Sequence, residues 1–217
     1  MHQWFNWFGL GGKFVLTVLL SATALVLALA FRGRARWTCF AAMLCSTMGD
    51  LILTNWRGLG DRLPLPSFYV GMACFVAAHV LYAAAFGGLV KRQGKGLLNP
   101  GFWLAAVCAA AGAAVVIVPT LRLSRVDWIL FAACFLYLLI IGWMLTNVFS
   151  LAWSARGLRI VTAVGAFSFF VSDLIIGLDE LAHISTYNEG IWWLYPIGQL
   201  LMLLFVTTRR EKRRTAV

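Results

Sequence analysis

The chain alternates between long apolar stretches and short breaks that carry polar, basic, glycine or proline residues. Seven apolar stretches can be drawn, at residues 13–31, 37–55, 67–90, 100–118, 126–149, 158–178 and 191–208. Each has the length of roughly 17–25 residues that a helix needs to cross a hydrocarbon core of about 30 Å. The pattern predicts an all-α, polytopic transmembrane helix bundle of about seven spans, and a single transmembrane domain over residues 1–217.

The composition supports a membrane protein and argues against a nucleic-acid partner. Of 217 residues, 62% are hydrophobic and only 12% are charged, whereas soluble domains have about 45–50% apolar and about 25% charged residues. The net charge is +10, but the basic residues lie in short breaks between the spans. That placement is typical of topology signals and of contact with anionic lipid headgroups. We therefore expect membrane lipids, and no nucleic acid, as neighbours.

The basic residues also predict an orientation. Most of the 18 lysines and arginines fall after spans one, three and five or in the C-terminal tail. The positive-inside rule then places the N-terminus outside and the C-terminus in the cytoplasm. Residues 1–12, rich in Trp and Phe, suit an interfacial anchor. We expect an integral protein of a bacterial inner membrane, and the sequence leaves its oligomeric state open.

Two carboxylates, Asp50 and Asp173, lie inside these apolar stretches. Ionisable residues at membrane depth are costly and rare, so each is a candidate functional residue. The alternative is that both only join helices by hydrogen bonds. Ser, Thr, Asn and Gln more often have that role in membrane bundles, so a pair of carboxylates favours function.

Polar side chains from five spans fall in one band between the membrane midplane and the outer face, at about 1.5 Å of rise per residue. They are Asp50, His79, Tyr137, Asp173, Tyr195 and Gln199. Ser46 and Asp50 are four residues apart, His79 and Tyr82 three apart, and Tyr195 and Gln199 four apart, so each pair shares a helix face. The pattern predicts that these side chains converge on one site.

Simpler interpretations exist for individual members of the band. His79 could be satisfied by a single neighbouring hydroxyl, and Tyr137 could serve only in packing. Asn147 is predicted to make a helix–helix hydrogen bond near the inner face. Gly49 beside Asp50, and Gly198 beside Gln199, would allow a backbone or a substrate to approach closely.

Metal and cofactor sites are not indicated. The five cysteines lie in apolar stretches without metal-ligand spacing, which also argues against a disulfide framework. His79 is the one histidine within a span, whereas a zinc hydrolase of the alkaline ceramidase type needs several histidine ligands. We expect no metal and no cofactor.

Four short motifs carry a resemblance to a known family. Their order and spacing within residues 13–207 resemble the YhhN family of membrane proteins, which includes the animal lysoplasmalogenases. The motifs are S-x-x-G-D at 46–50, G-x-x-x-F-x-x-A-H-x-x-Y at 71–82, F-x-x-S-D at 169–173 and Y-x-x-x-Q at 195–199. Lys13 resembles the Lys-Pro that opens the second helix of the family, with Phe14 in place of the proline. The resemblance then implies that this chain lacks the first of eight helices.

The resemblance implies hydrolysis of the vinyl ether bond of a lysoplasmalogen, a lysophospholipid, to a fatty aldehyde and glycerophosphoethanolamine or glycerophosphocholine. Such a bond is cleaved by protonating its β-carbon, which requires a general acid and a carboxylate that stabilises the cation and orients water. We expect Asp50 and Asp173 to be this pair and to share a proton. The predicted positioning residues for water, carboxyl groups or glycerol are Ser46, His79, Tyr82, Tyr137, Ser172, Tyr195 and Gln199.

Two further classes of membrane protein are alternatives to a hydrolase. A retinal protein needs a lysine deep in its last span, but the lysines are residues 13, 91, 95 and 212, all at span edges. A small transporter or sensor, with the two carboxylates relaying protons or binding a cation, stays an alternative. Pro196 could break span seven as transporter helices are broken, although no clear internal repeat is present. The sequence does not decide which lipid is the substrate.

Overall fold

Seven α-helices make up the part of the chain that the computed structural model describes, residues 10–93, 98–154 and 158–204. They are α1 (Leu10–Phe31), α2 (Arg34–Leu53), α3 (Ser67–Arg92), α4 (Pro100–Thr120), α5 (Trp128–Ser154), α6 (Leu158–Ala182) and α7 (Asn188–Leu203). Two short 3₁₀ turns, Trp56–Gly58 and Gly60–Arg62, connect α2 to α3. Each helix coincides with one predicted span, so the predicted all-α bundle is confirmed.

Not every helix meets the length and hydropathy of a membrane span. Five described helices do, and α2 becomes a sixth when it is joined to the 3₁₀ turns that leave it at 92°. Helix α7 has 16 residues, and the predicted continuation of its span to residue 208 lies outside the described residues. The same holds for most of the N-terminal anchor and for basic residues in 94–97, 155–157 and 205–217. The count of seven spans and the orientation therefore stay predictions.

The helices form a ring around a shared interior. Helix α2 packs along α3, α3 along α5, α5 along α6, and α6 along α7, while α1 closes the ring between α7 and α2. Helix α4 packs outside the ring, against α5 and α6. At the α1–α2 contact the hydroxyls of Ser21 and Thr47 lie 2.7 Å apart, the polar link between helices that is common in membrane bundles. Six helices thus surround one interior.

Two of the glycines that permit close helix contacts lie beside candidate site residues. A methyl group on Gly49 would stand 2.8 Å from the ring of Phe75 and 3.2 Å from the carbonyl of Gly71, on α3. A methyl group on Gly198 would stand 2.7 Å from the backbone nitrogen of Phe169, on α6. The predicted close approaches at Gly49 and Gly198 are confirmed, and in both cases another helix is what approaches.

Helix α7 runs through Pro196 without a break, so the prediction that this proline could break the helix is wrong. At the other end of α7 the carbonyl of Leu203 accepts a hydrogen bond from Nη1 of the buried Arg36. Carbonyl groups in the last turn of a helix lack intrahelical donors, and arginine commonly satisfies them. This contact fixes α7 to the start of α2.

Candidate active site

Asp173, His79 and Tyr137 meet in the interior from α6, α3 and α5. The hydroxyl of Tyr137 donates to Oδ2 of Asp173 at 2.6 Å, and Nε2 of His79 lies 3.0 Å from the same oxygen. The Tyr137 hydroxyl and the His79 nitrogen are themselves 2.8 Å apart. The three polar atoms therefore form a closed triangle, and the His79 and Asp173 side chains are 0% and 4% exposed. We call this the Asp173 group.

Asp50 and Tyr195 form a second polar group, between α2 and α7. The Tyr195 hydroxyl donates to Oδ2 of Asp50 at 2.7 Å, and both residues are buried. The Tyr195 ring contacts the rings of Phe75 and Phe169 edge-on, with centroids 6.1 and 5.3 Å away. The Phe169 ring also contacts His79, at 4.8 Å. Phe169 thus touches both polar groups, and the two carboxylates are near enough to interact electrostatically.

A third group lies one turn before Asp50 on α2 and one turn after Tyr195 on α7, and we call it the Gln199 group. The Tyr82 hydroxyl donates to Oε1 of Gln199 at 2.7 Å, and Nε2 of Gln199 donates to Oγ of Ser46 at 3.1 Å. All three residues are fully buried. Sulfur of Met43 lies 3.9 Å from the Tyr82 hydroxyl. The hydrogen bonds connect these residues to one another rather than to either carboxylate.

The predicted single polar layer is therefore three hydrogen-bonded groups at neighbouring depths. Ser172 belongs to none of them, because its hydroxyl donates to the backbone carbonyl of Phe169 in its own helix, at 2.6 Å. Asn147 likewise donates to the carbonyl of Trp143 in its own helix, at 2.9 Å. The predicted interhelical hydrogen bond of Asn147 is wrong. Serine and asparagine readily bond the preceding turn of their own helix, which is the competing arrangement in both cases.

An apolar pocket ends at the Asp173 group. Together with its open mouth, which reaches into solvent-filled space, it spans about 530 Å³. Its walls come from α2 to α6, at the end of the bundle where α3 and α5 begin. Asp173 and Tyr137 line it together with Leu53, Phe68, Met72, Phe75, Val116, Cys134, Leu138, Ile176 and Gly177. Asp50 is not among the lining residues, so the pocket distinguishes the two carboxylates.

In each carboxylate one oxygen accepts hydrogen bonds, and the other has no hydrogen-bond partner among the described residues. The hydrogen bonds described above all end on Oδ2 of Asp173 and Oδ2 of Asp50. Within the described residues Oδ1 of either side chain has no hydrogen-bond partner, and neither atom is fully enclosed. Asp173 thus presents a carboxyl group to the pocket while two neighbours hold its other oxygen.

Several residues around the carboxylates did not stand out in the sequence. Sulfur of Met144 lies 3.4 Å from Nδ1 of His79, and Gly177 lines the pocket beside Asp173. Their spacing could have found them, since Gly177 follows Asp173 by four residues and Met144 follows Tyr137 by seven, each on the same helix face. Phe169, which the F-x-x-S-D motif already includes, precedes Asp173 by four residues in the same way.

The side chains of the described residues do not cluster as the ligands of a metal ion would. Among the described residues there is no group of three or more His, Cys, Asp or Glu side chains that could hold one. The expectation of no metal and no cofactor stays a prediction, which chelation can test.

Comparison with known protein families supports the resemblance that the sequence motifs indicate. The model of the YhhN family matches residues 10–206, which includes α1 to α7 and all three polar groups. The chain belongs to the YhhN family. No curated protein and no solved structure matches it. Membership of the YhhN family and the long apolar helices both support a membrane protein.

Proposed function

We propose that this YhhN-family protein is a lysoplasmalogenase-like hydrolase that cleaves the vinyl ether bond of a lysoplasmalogen within the membrane. The products are a fatty aldehyde and glycerophosphoethanolamine or glycerophosphocholine. One observation carries the proposal: a buried carboxyl group, Asp173, is held by two neighbours at the end of an apolar pocket. We expect the protein to act in a bacterial inner membrane, without a metal or a cofactor.

The chemistry of a vinyl ether suits such a carboxyl group. Cleavage begins with transfer of a proton to the β-carbon, which needs an acid that still carries its proton near neutral pH. Apolar surroundings generally favour the uncharged form of carboxyl groups, and they also accommodate an apolar alkenyl chain. An acid exposed to water would meet neither condition.

The reaction can be written with the residues of the Asp173 group. The carboxyl group of Asp173 gives its proton to the β-carbon, and the resulting carboxylate faces an oxocarbenium ion. Water adds to the cationic carbon and returns a proton to the carboxylate. The hemiacetal then collapses to the aldehyde, and the proton of its hydroxyl passes to the departing glycerol oxygen. The donor at Oδ2, the Tyr137 hydroxyl, stabilises the carboxylate while the cation exists.

Asp50 has a different part in this proposal. It does not line the pocket, but it lies near enough to Asp173 for the two carboxyl groups to interact electrostatically. In its ionised form Asp50 places a second negative charge near the oxocarbenium ion, which lowers the energy of the cationic transition state as paired carboxylates do in glycoside hydrolysis. Tyr195 positions Asp50 through its 2.7 Å hydrogen bond. Ser46, Tyr82 and Gln199 are one turn away and connect the helices that carry these groups.

The test is aldehyde release by the purified protein in detergent. Lysoplasmenylethanolamine is supplied as substrate, and the fatty aldehyde is followed with a coupled dehydrogenase. Matched lysophospholipids with an alkyl ether or an acyl ester at the same position are the controls. We expect aldehyde from the vinyl ether alone. A folded protein that releases no aldehyde contradicts the proposal, and proton-coupled ion or solute uptake into proteoliposomes would then favour the transporter alternative.

A further inference from the structure

The environment of the His79 ring determines where that ring carries its proton. The ring is fully buried and contacts the rings of Phe169 and Tyr137 at centroid distances of 4.8 and 5.3 Å. Its two nitrogens meet different partners. Nε2 faces Tyr137 and Asp173 in the polar triangle, while Nδ1 faces the sulfur of Met144 at 3.4 Å.

The two nitrogens also differ in what their partners can do. A thioether sulfur accepts a hydrogen bond weakly and has no proton to donate. Nδ1 can therefore bond Met144 only when Nδ1 carries a proton. Met144 is 0% exposed, so water cannot take the place of its sulfur. A neutral histidine with its proton on Nδ1 has a bare Nε2, which is then an acceptor.

If Nε2 is unprotonated, the contact between Nε2 and Asp173 must obtain its proton from another source. The Tyr137 hydroxyl has one proton and donates it to Oδ2 of Asp173. The 3.0 Å contact between Nε2 and Oδ2 then needs a proton of its own, because two lone pairs would otherwise face each other. That proton lies on Oδ2 of a neutral Asp173 or on Nε2 of a histidinium ion. Both forms contain the same number of protons, so the pair holds one mobile proton.

We propose that Met144 is a positioning residue that fixes the Nδ1-protonated tautomer of His79 and so keeps the mobile proton between His79 and Asp173. The inference deepens the proposed function, on which its catalytic part rests. In that reaction the mobile proton moves to the pocket-facing oxygen of the Asp173 carboxyl group and is then given to the β-carbon. The water that adds to the cation later returns a proton to the same place. Without the sulfur, Nε2 would carry the histidine's own proton, and Asp173 could be satisfied as a carboxylate with no proton to give.

The test reads the tautomer directly, by ¹⁵N NMR of selectively labelled histidine. His2 and His183 are replaced by asparagine so that His79 is the sole histidine. Asparagine suits position 183, where φ is +57°, because it tolerates the left-handed region. We expect wild-type His79 to show a proton on Nδ1. Met144→Leu, similar in size but without an acceptor, should move that proton to Nε2, and Met144→Gln, whose amide oxygen can accept, should restore the original pattern.

The matched control is Met43→Leu, because Met43 is equally buried and its sulfur faces the hydroxyl of Tyr82. That exchange should leave the His79 tautomer unchanged. We expect Met144→Leu to lower kcat about 10-fold or more, as loss of part of a general acid does, with KM unchanged.

A proton on Nε2 with a bare Nδ1 in the wild type would overturn the inference, as would an unchanged tautomer in a folded Met144→Leu. If Met144→Leu does not fold, the spectra of the wild type and Met144→Gln still decide. The expected tautomer without any aldehyde release would contradict the proposed function alone. Aldehyde release with the opposite tautomer would contradict this inference alone.

Discussion

Substitution of Tyr82 tests whether the Gln199 group has a structural or a catalytic role. Its hydroxyl donates to Gln199 at 2.7 Å in a fully buried position, and the hydrogen bonds of that group do not reach a carboxylate. Tyr82→Phe removes this donor and leaves Oε1 of Gln199 unsatisfied. Interhelical hydrogen bonds in membrane proteins contribute about 0.6 kcal/mol on average and at most about 1.7 kcal/mol. A buried acceptor that is left without a donor costs about 1–3 kcal/mol. We therefore expect a loss of about 1 kcal/mol in the free energy of unfolding, with kcat unchanged.

Tyr137→Phe is the matched exchange at the pocket. It also removes one buried hydroxyl, but that hydroxyl donates to Asp173 at 2.6 Å. Loss of one donor to a developing oxyanion typically lowers kcat about 10²- to 10³-fold, so we expect a loss of at least about 10²-fold. Unfolding is followed in mixed micelles with increasing SDS, and kcat by aldehyde release. If Tyr82→Phe abolished activity at full stability, or Tyr137→Phe kept full activity, the assignment of the two groups would be refuted.

Three further predictions test other parts of the account. Asp50→Asn should lower kcat about 10-fold or more because a charge that stabilises the cation is lost; aldehyde release at the wild-type rate would show that Asp50 is structural. Gly198→Val should destabilise the protein by about 1–3 kcal/mol, since even a methyl group there would stand 2.7 Å from the Phe169 backbone, whereas Gly88→Val faces open space and should have no such effect in the same SDS titration. Prolonged dialysis against EDTA should leave aldehyde release unchanged, and a loss of activity that zinc restores would reveal a metal site.

The helices and the convergence of the polar residues could be predicted because both depend on local spacing. Apolar runs of membrane length become helices whatever their neighbours are, since the backbone must satisfy its hydrogen bonds internally in lipid. The three- and four-residue spacings of Ser46 with Asp50 and of Tyr195 with Gln199 fix which side chains share a face. The structure places all four in the interior between α2 and α7.

The division into three groups could not be predicted, because it depends on how each helix is turned against its neighbours. That rotation is set by contacts such as Gly49 against Phe75 and Gly198 against Phe169, which involve residues far apart in the chain. Ser172 precedes a carboxylate in sequence, yet its hydroxyl bonds its own helix, an option that every helical serine has. Met144 has no polar signature in its apolar stretch, so its seven-residue spacing from Tyr137 is the sequence feature that connects it with the site.

The most direct test of the central claim is the rate of aldehyde release by Asp173→Asn. Asparagine has the same shape and keeps an oxygen for Tyr137 to donate to, but it cannot deliver a proton as a carboxylic acid does. We expect kcat to fall about 10²- to 10⁴-fold, the usual contribution of a general acid, while the SDS midpoint of unfolding stays near that of the wild type. A folded Asp173→Asn protein that releases aldehyde within a few-fold of the wild-type rate would show that Asp173 is not the acid.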